Sequence, residues 1–277
     1  MGILKTIQSK EIGIVKMEHY LNTFQMMQDL ETRKETSPNF KGDPYQDPDF
    51  TGIKSKQEAM DKLRYGDAGM KDNLQRVKLK PVCINPTVTF SASPIGFAPI
   101  VPNAILGLPQ SMVASTLDVK DNKIIDMVYD ITASCGTSTE SMLKAGTKIL
   151  EAILSLEAQG YRINLYAMQG YYDNKDTDML LLQVKQSYQR MNLQRMAFPL
   201  IHPGFFRGVG FDWYSKTPQG KYKSGYGRGL CYAYSEEVIQ TAMRQIINPK
   251  VYYLSCIKIM NDGVEAITKR LTNNKAK

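Results

Sequence analysis

Hydrophobic positions follow a helical period most clearly between Ser138 and Gly160. Five residues share one face of this segment: Met142, Gly146, Ile149, Ile153 and Leu156. Thr137 and Glu140 fit a capping box, and Gly160 is a typical C-terminal stop. The pattern predicts one long helix whose apolar face packs on a neighbouring layer.

Short apolar runs around this helix predict strands. KIIDMVYDI, from Lys123, precedes the helix, and YRINLYAMQGY follows it and forms a hairpin with DMLLLQVK across a short polar turn. Later segments are predicted to be helical up to Phe198, from His202 to Val209, at about 236–247 and at about 263–271, with a strand KVYYLSCI before the last helix. Alternating strands and helices predict an α/β fold, a three-layer Rossmann-like sheet with helices on both faces.

The N-terminal part of the chain has a less regular pattern. Apolar residues from Ile12 to Leu30 have roughly helical spacing and predict an amphipathic helix, and the proline-rich stretch 36–52 is typical of a connector. A short helix near 55–63 and one or two strands between Val77 and Phe90 are predicted next. The stretch SPIGFAPIVPNAILGLPQSM is so apolar that we expect it to be covered.

These patterns divide the chain into three segments. Residues 1–52 are predicted to form an N-terminal helical arm and linker, and residues 53–121 a partly β, proline-rich segment packed on the main domain. Residues 122–277 are predicted to form the α/β domain. In such sheets ligands bind at the carboxyl ends of the strands, which directs attention to the end of the first strand of this domain.

Composition narrows the choice of partners and of compartment. A formal charge of +8 and a pI near 9.1 favour contact with nucleic acid, an anionic surface or an acidic protein. The four cysteines are widely spaced and only two histidines occur, which indicates neither a disulfide framework nor a zinc site. No signal peptide or membrane span is evident, so we expect a cytoplasmic protein.

The segment YDITASCGTSTE places oxygen donors where the first strand ends and the long helix begins. Asp130, Thr132 and Ser134 alternate along it, and a carboxylate with two hydroxyls suits Mg²⁺ or Mn²⁺. The same residues also shape turns and cap helices without any metal. Both interpretations stay open on the sequence.

The D-x-T-x-S spacing resembles the D-x-S-x-S motif of von Willebrand factor A domains, whose metal-ion-dependent adhesion site begins in this loop. The resemblance covers about half the chain, from Lys123 to Leu271, and implies a divalent cation completed by a carboxylate of a protein partner. The whole chain also resembles uncharacterised proteins of bacteriophages and mobile elements, through VPNAILGLPQSM, LEAQGY and HPGFFRGVGF. That likeness implies a location in the host-cell cytoplasm or in the virion. It does not point to any particular activity.

The chain departs from the metal-site motif of that family. The fourth strand is expected to end in an acid, but KVYYLSCI offers Ser255 and Cys256, and Asp262 follows several residues later. Thr217 or Asp212 could supply the remaining ligand from a later loop, and the spacing selects neither.

Two further groups of residues carry possible chemistry. Cys135 near a helix start could be a nucleophile with His202 as its base, although the sequence supplies no convincing acid, base and nucleophile set, which argues against an enzyme. The stretch GFDWYSKTPQGKYKSGYGRG mixes aromatic and basic residues that suit nucleic acid: Lys216, Lys221, Tyr222, Lys223, Tyr226 and Arg228.

The sequence therefore predicts a noncatalytic protein-interaction module that meets its partner near Asp130, through a divalent cation or through a vestige of that site. A nucleic-acid-binding protein is the alternative.

Overall fold

A computed structural model describes residues 2–34, 43–70, 88–117, 124–173, 176–217 and 228–272. The strands are β1 (Ile3–Ser9), β2 (Gly13–Tyr20), β3 (Val88–Ser93), β4 (Ala98–Pro99), β5 (Met112–Leu117), β6 (Ile124–Asp130), β7 (Arg162–Asp173), β8 (Asp176–Lys185), β9 (Arg228–Gly229) and β10 (Tyr252–Ser255). The α-helices are α1 (Thr23–Thr32), α2 (Pro48–Thr51), α3 (Lys56–Tyr65), α4 (Val101–Ile105), α5 (Thr139–Ala158), α6 (Leu193–Ile201), α7 (Phe211–Ser215), α8 (Leu230–Ala233), α9 (Glu236–Ile246), α10 (Cys256–Asn261) and α11 (Val264–Thr272). A 3₁₀ turn spans Ala68–Met70 and a π-helical turn spans Phe205–Gly210.

One mixed sheet organises most of these elements. Its strand order is β1-β2-β8-β7-β6-β10, and the short β9 also pairs with β7. β6 is parallel to both β7 and β10, whereas β7 and β8 are antiparallel neighbours. The predicted α/β fold and the predicted hairpin of β7 and β8 are confirmed.

The sheet carries helices on both faces because its inner strands are buried on both sides. In β6, Met127 and Tyr129 pack in the apolar cluster that contains α5 and α6, while Val128 points into the cluster that contains α9. Such two-sided burial gives the nearly continuous apolar run seen in KIIDMVYDI. The layered arrangement predicted for this domain is thereby observed.

The long helix α5 is confirmed, but its predicted cap is displaced by one residue. Ser138, not Thr137, is the N-cap, and its hydroxyl accepts a hydrogen bond from the Ser141 amide at 3.2 Å. Gly146 lies where α5 meets α6, and a Cβ there would come within 2.5 Å of the Ile201 Cα. Glycine at this position therefore allows the two helices to approach closely.

The helical prediction for the N-terminal arm is wrong over residues 3–20. β1 and β2 form an antiparallel hairpin, and β2 adds to the main sheet parallel to β8. Val15 and Met17 are buried at a spacing of two on one face of β2, which a helix cannot give. Only α1 corresponds to the predicted helix, so the N-terminal segment is part of the main sheet.

The apolar stretch SPIGFAPIVPNAILGLPQSM, residues 93–112, is folded but not covered. β3, β5 and β4 form a separate three-stranded antiparallel sheet, and the expectation that its apolar residues pack against the main domain is wrong for the described residues. Ile95 and Ile105 are 83% and 79% exposed. Most of the strand predicted between Val77 and Phe90 lies outside the described residues.

The other predicted elements agree with the structure, with two changes. α3, α9 and α11 are confirmed, and α6 with the π-helical turn replaces the two helical stretches predicted up to Val209. The strand predicted over KVYYLSCI ends at Ser255, where α10 begins. The early start of α10 places Cys256 inside a helix.

Candidate functional site

The candidate site lies where β6 ends and its neighbour β7 continues. Asp130, the last residue of β6, is opposite Met168, and β7 extends five residues further to Asp173. In this extension β9 replaces β6 as the partner of β7, with Arg228 opposite Tyr172. The change of partner leaves a notch at the carboxyl edge of the sheet, the place where α/β sheets bind ligands.

The notch is a cavity of about 500 Å³. Phe50, Phe206 and Phe211 supply an apolar part of its wall. The polar part of the lining is supplied by Thr132, Ser134, Cys135, Arg228 and Tyr232. A cavity with an apolar, partly aromatic wall and a few convergent polar groups is typical of a binding site.

Gly229 explains how β9 comes so close to the end of β6. A Cβ at Gly229 would lie 2.5 Å from the Thr132 Cγ2, closer than real contacts allow. With glycine there, the backbone of β9 passes directly over Thr132 and holds the preceding Arg228 at the cavity. Arg228 is exposed and has no ion-pair partner among the described residues.

Asp130 is fully buried beneath this cavity and is not part of its lining. One carboxylate oxygen accepts a hydrogen bond from the Thr132 amide at 2.9 Å, and the other accepts one from the Tyr253 hydroxyl at 2.7 Å. Burial raises the pKa of Asp130 to about 6, against the smaller lowering effects of hydrogen bonds from the Thr132 side chain, from Tyr253 and from the Thr132 amide. The carboxylate therefore braces β6 against β10 from inside the sheet.

Thr132 and Ser134 act mainly as turn residues. The Thr132 hydroxyl lies 3.4 Å from the Gly170 amide, and the Ser134 hydroxyl accepts a hydrogen bond from the Gly136 amide at 3.2 Å. The Ser134 amide donates to the Tyr232 hydroxyl at 2.7 Å, which fixes the loop after β6 to α8. Ser134 is exposed, whereas Thr132 is buried.

The arrangement of the oxygen atoms of Asp130, Thr132 and Ser134 does not fit the coordination of a divalent cation. Asp130 is the one carboxylate of the set, and both of its oxygens already accept hydrogen bonds. Ser255 lies beside Asp130 in the register of β10, where the resemblance leads one to expect an acid. Across the described ranges, no three His, Cys, Asp or Glu side chains come together as a metal-binding group.

The later residues considered as metal ligands lie elsewhere. Asp212 is paired with Lys216 at 2.8 Å, and Thr217 lines a different cavity that also contains Glu18. The backbone carbonyl of Asp262 accepts a hydrogen bond from Lys148. None of these residues lines the cavity beside Thr132. Mg²⁺ or Mn²⁺ binding stays a prediction of the family resemblance.

Arg207, which the sequence interpretation missed, holds the site together. It is 2% exposed, and its guanidinium donates to the backbone carbonyls of Phe50 at 3.0 Å, of Ser134 at 3.4 Å and of Thr137. The guanidinium also lies 4.2 Å from the centre of the Phe50 ring. One side chain thus joins α2 to the loop after β6, and burial lowers its pKa.

The π-helical turn positions Arg207 and Phe206 for these contacts. Inserting a π turn shifts the side chains of a helix relative to an α-helical path, and such turns are frequent at functional sites. A signal was present in the sequence, because Arg207 is the one charged residue in HPGFFRGVGF and a charge in such a run suggests a buried polar role.

The structure does not bring Cys135 and His202 together around this cavity. Cys135 lines the cavity, but His202 does not. The His202 ring instead accepts a hydrogen bond from the Gly204 amide and lies 3.9 Å from the Asp67 carboxylate. Burial lowers the pKa of His202 to about 4, against the opposing effect of Asp67. The arrangement therefore gives Cys135 no histidine base.

The basic aromatic stretch is partly buried. Trp213 and Tyr214 are core residues. The Lys216 side chain is 4% exposed, and its ammonium is bonded to Asp212 and to the Leu30 carbonyl. The predicted role of Lys216 in binding phosphates is not supported by this placement. Lys221, Tyr222, Lys223 and Tyr226 lie outside the described residues.

The fold and the notch define an α/β protein with a cavity at the carboxyl edge of a mixed sheet. A family model matches residues 5–274, and the chain belongs to that family, a domain of unknown function named DUF7192. No curated protein and no solved structure matches the chain. Among the described residues, no helix is long and apolar enough to cross a membrane.

Proposed function

We propose that the protein is a noncatalytic protein-interaction module that binds its partner in the notch between β6 and β9. The observation that carries the proposal is the cavity of about 500 Å³ with aromatic walls and the exposed cation Arg228. An apolar cavity with one cation beside it suits a partner segment that presents an apolar side chain next to a carboxylate.

The resemblance to von Willebrand A domains supports this function through the strand order. β8, β7, β6 and β10 are adjacent in the sheet, with β8 antiparallel to its neighbour β7 and with the candidate loop at the end of β6. The resemblance implies a partner carboxylate. In the proposed complex this carboxylate pairs with Arg228 and does not complete a cation site at Asp130.

Selection from a random peptide display library tests the proposal. We expect enriched peptides to carry Asp, Glu or a free C-terminus beside an apolar residue. Arg228→Gln should weaken the binding of a selected peptide at least about tenfold, because a hydrogen bond to a charged group contributes roughly 1.5 to 3 kcal/mol and 1.4 kcal/mol corresponds to about tenfold. Fluorescence anisotropy of the labelled peptide measures the affinity.

Arg190→Gln is the matched control, because Arg190 is exposed in the loop between β8 and α6. The loss should be absent in this variant. Equal losses in both variants, or a library that yields no enriched sequence, would contradict binding in the notch.

The cation-dependent form of this function has a separate test. We expect Mg²⁺ and Mn²⁺ to leave the thermal unfolding midpoint unchanged, because a cation at Asp130 has to displace the Tyr253 hydroxyl and the Thr132 amide. A ligand that binds the native state alone raises the midpoint. A rise in the parent that is absent in Asp130→Asn would establish the cation site after all.

Nucleic-acid binding stays the alternative prediction, and single-stranded oligonucleotide is its probe. Lys221→Gln with Lys223→Gln should abolish an affinity that falls steeply with salt if that alternative holds. Arg228 belongs to both candidate surfaces, so the lysine pair separates the two functions. A peptide affinity that is lost in Arg228→Gln and kept in the double lysine variant is the result expected for the notch.

A further inference from the structure

The sheet formed by β3, β4 and β5, together with α4, is an apolar arm spanning Val88–Leu117. No charged residue and no histidine occurs in the sequence between Lys80 and Asp118. None of the residues from 90 to 115 is buried. The arm therefore combines an uncharged composition with the exposure of a surface loop.

The arm has a regular backbone despite its lack of a core. β3 and β5 pair over six residues, the Phe97 amide donates to the Val113 carbonyl at 3.0 Å, and the Ile100 amide donates to the Ser111 carbonyl at 2.7 Å. Small sheets need a buried hydrophobic face to be stable on their own. An ordered sheet without one indicates that something outside the described chain covers it.

Large side chains make up much of the arm surface. Seven of them are exposed: Phe90, Ile95, Phe97, Val101, Ile105, Leu106 and Leu108. At about 100 Å² of exposed surface each, they amount to roughly 700 Å². A stable protein interface buries about 800 Å² on each partner, so the apolar surface of the arm is close to this size. It is also larger than the largest apolar patch of most monomers, which is about 300 to 600 Å².

We propose that the apolar arm is an interface between copies of this chain, in which one arm packs against the arm of a second copy. Local charge does not oppose a second copy at this surface, because the arm carries no charged side chain that would face its own copy, even though each chain has a net charge of +8. Two-fold symmetric contacts place the same patch on both partners, and an uncharged patch is compatible with itself.

The strand edges of the arm favour a protein over a lipid surface. In the described part of the chain, β3 and β4 are the outer strands of the small sheet, and each has β5 as its partner. Backbone groups at an open sheet edge cannot be satisfied in a hydrocarbon layer, whereas a second copy can pair with them. The arm thus offers both side chains and backbone groups to another arm.

Sedimentation velocity of the full chain at increasing concentration tests this interface. The parent is expected to form dimers, and Ile105→Lys and Phe97→Lys should each weaken the dimer at least about tenfold. Both side chains are exposed in the single chain, so the thermal unfolding midpoint extrapolated to low concentration should not change. Two variants are used so that the result does not depend on one substitution.

Tyr188→Lys is the matched control, because Tyr188 is 80% exposed outside the arm and the substitution adds the same charge. The control should dimerise like the parent. A parent that stays monomeric overturns the proposal, as does an equal effect of Tyr188→Lys. A monomer that cosediments with phosphatidylcholine vesicles, and loses this binding in Ile105→Lys, would identify a lipid surface instead.

Discussion

Arg207→Met is expected to lower the free energy of unfolding by about 2 to 4 kcal/mol, because three backbone carbonyls lose their donor. For a domain of this size each kcal/mol corresponds to roughly 2 to 4 °C in the unfolding midpoint. The midpoint should fall by about 5 to 15 °C, as measured by circular dichroism during heating.

The sign of this effect follows from what stays behind in the variant. Removing the guanidinium also removes the free-energy cost of burying a cation. In a buried ion pair, this gain offsets the lost attraction when both charged partners are replaced by apolar residues. Arg207 has no carboxylate partner among the described residues, and its partners are backbone carbonyls that no side-chain substitution removes. They lose their donor where they are partly buried, and the packing of the guanidinium on the Phe50 ring is lost as well, so the loss exceeds the gain.

Two comparison variants make the Arg207 prediction specific. Arg207→Lys keeps the charge but has one donor group in place of a planar fork, so an intermediate loss is expected. Arg195→Met changes an exposed arginine of α6 and should alter the stability by less than about 0.5 kcal/mol. A midpoint for Arg207→Met equal to that of Arg195→Met would show that the guanidinium contributes nothing to holding the loop after β6.

The central part of the fold was predictable because local signals and burial agree there. α5 has an apolar face, a serine cap and a glycine stop, and β6 and β7 are apolar runs that the sheet buries on both sides. The cap was misplaced by one residue because Thr137, Ser138 and Thr139 are all plausible caps. Only the hydrogen bond from the Ser141 amide distinguishes Ser138.

The N-terminal hairpin was not predicted because its apolar spacing fits two structures. Ile12 and Val15 are compatible with one helix face when α1 follows directly, yet the hairpin turns at Gly13, whose φ is +75°. Long-range pairing of β2 with β8, separated by more than 150 residues of sequence, decides the outcome. A single sequence contains no local signal for that pairing.

The sequence directed attention to the end of β6, where the structure has a cavity, but the chemistry of this place depends on contacts between distant segments. Asp130 was expected to face a ligand, and it faces Tyr253 of β10 instead. The cavity wall includes Phe50 and Phe206, which lie far from Asp130 in the sequence. Their convergence depends on the π-helical turn and on the carbonyl groups that Arg207 contacts, and local patterns specify neither the turn nor these partners.

Asp130 should make the protein more stable as the pH falls from 7.5 to 5. Its pKa is about 6 in the folded state and about 4 in an unfolded chain, so folding favours the protonated form. This contribution is fully present below pH 4 and is lost as the pH rises through 6. Between pH 7.5 and pH 5 it amounts to about 1 to 1.5 kcal/mol.

The measurement is the difference in unfolding free energy between the parent and Asp130→Asn across this pH range, obtained by urea titration. The difference is needed because burial lowers the pKa of His202 to about 4. The stability that the neutral His202 ring contributes to the protein is therefore lost as the pH falls, which opposes the effect of Asp130. Near Asp130, burial raises the pKa of Tyr253, and the pKa of Cys256 is raised to about 11, so these groups stay neutral.

Tyr253→Phe is the second arm of this experiment. It removes the hydroxyl that donates to the carboxylate at 2.7 Å and that lowers the pKa of Asp130, so the pKa should rise further. In Tyr253→Phe the pH at which this stability is lost should move above 6. In Asp130→Asn this pH-dependent loss of stability should be absent. Parallel pH profiles for the parent and Asp130→Asn would contradict the buried carboxylate, because a group that titrates between pH 5 and 7.5 cannot leave the difference constant.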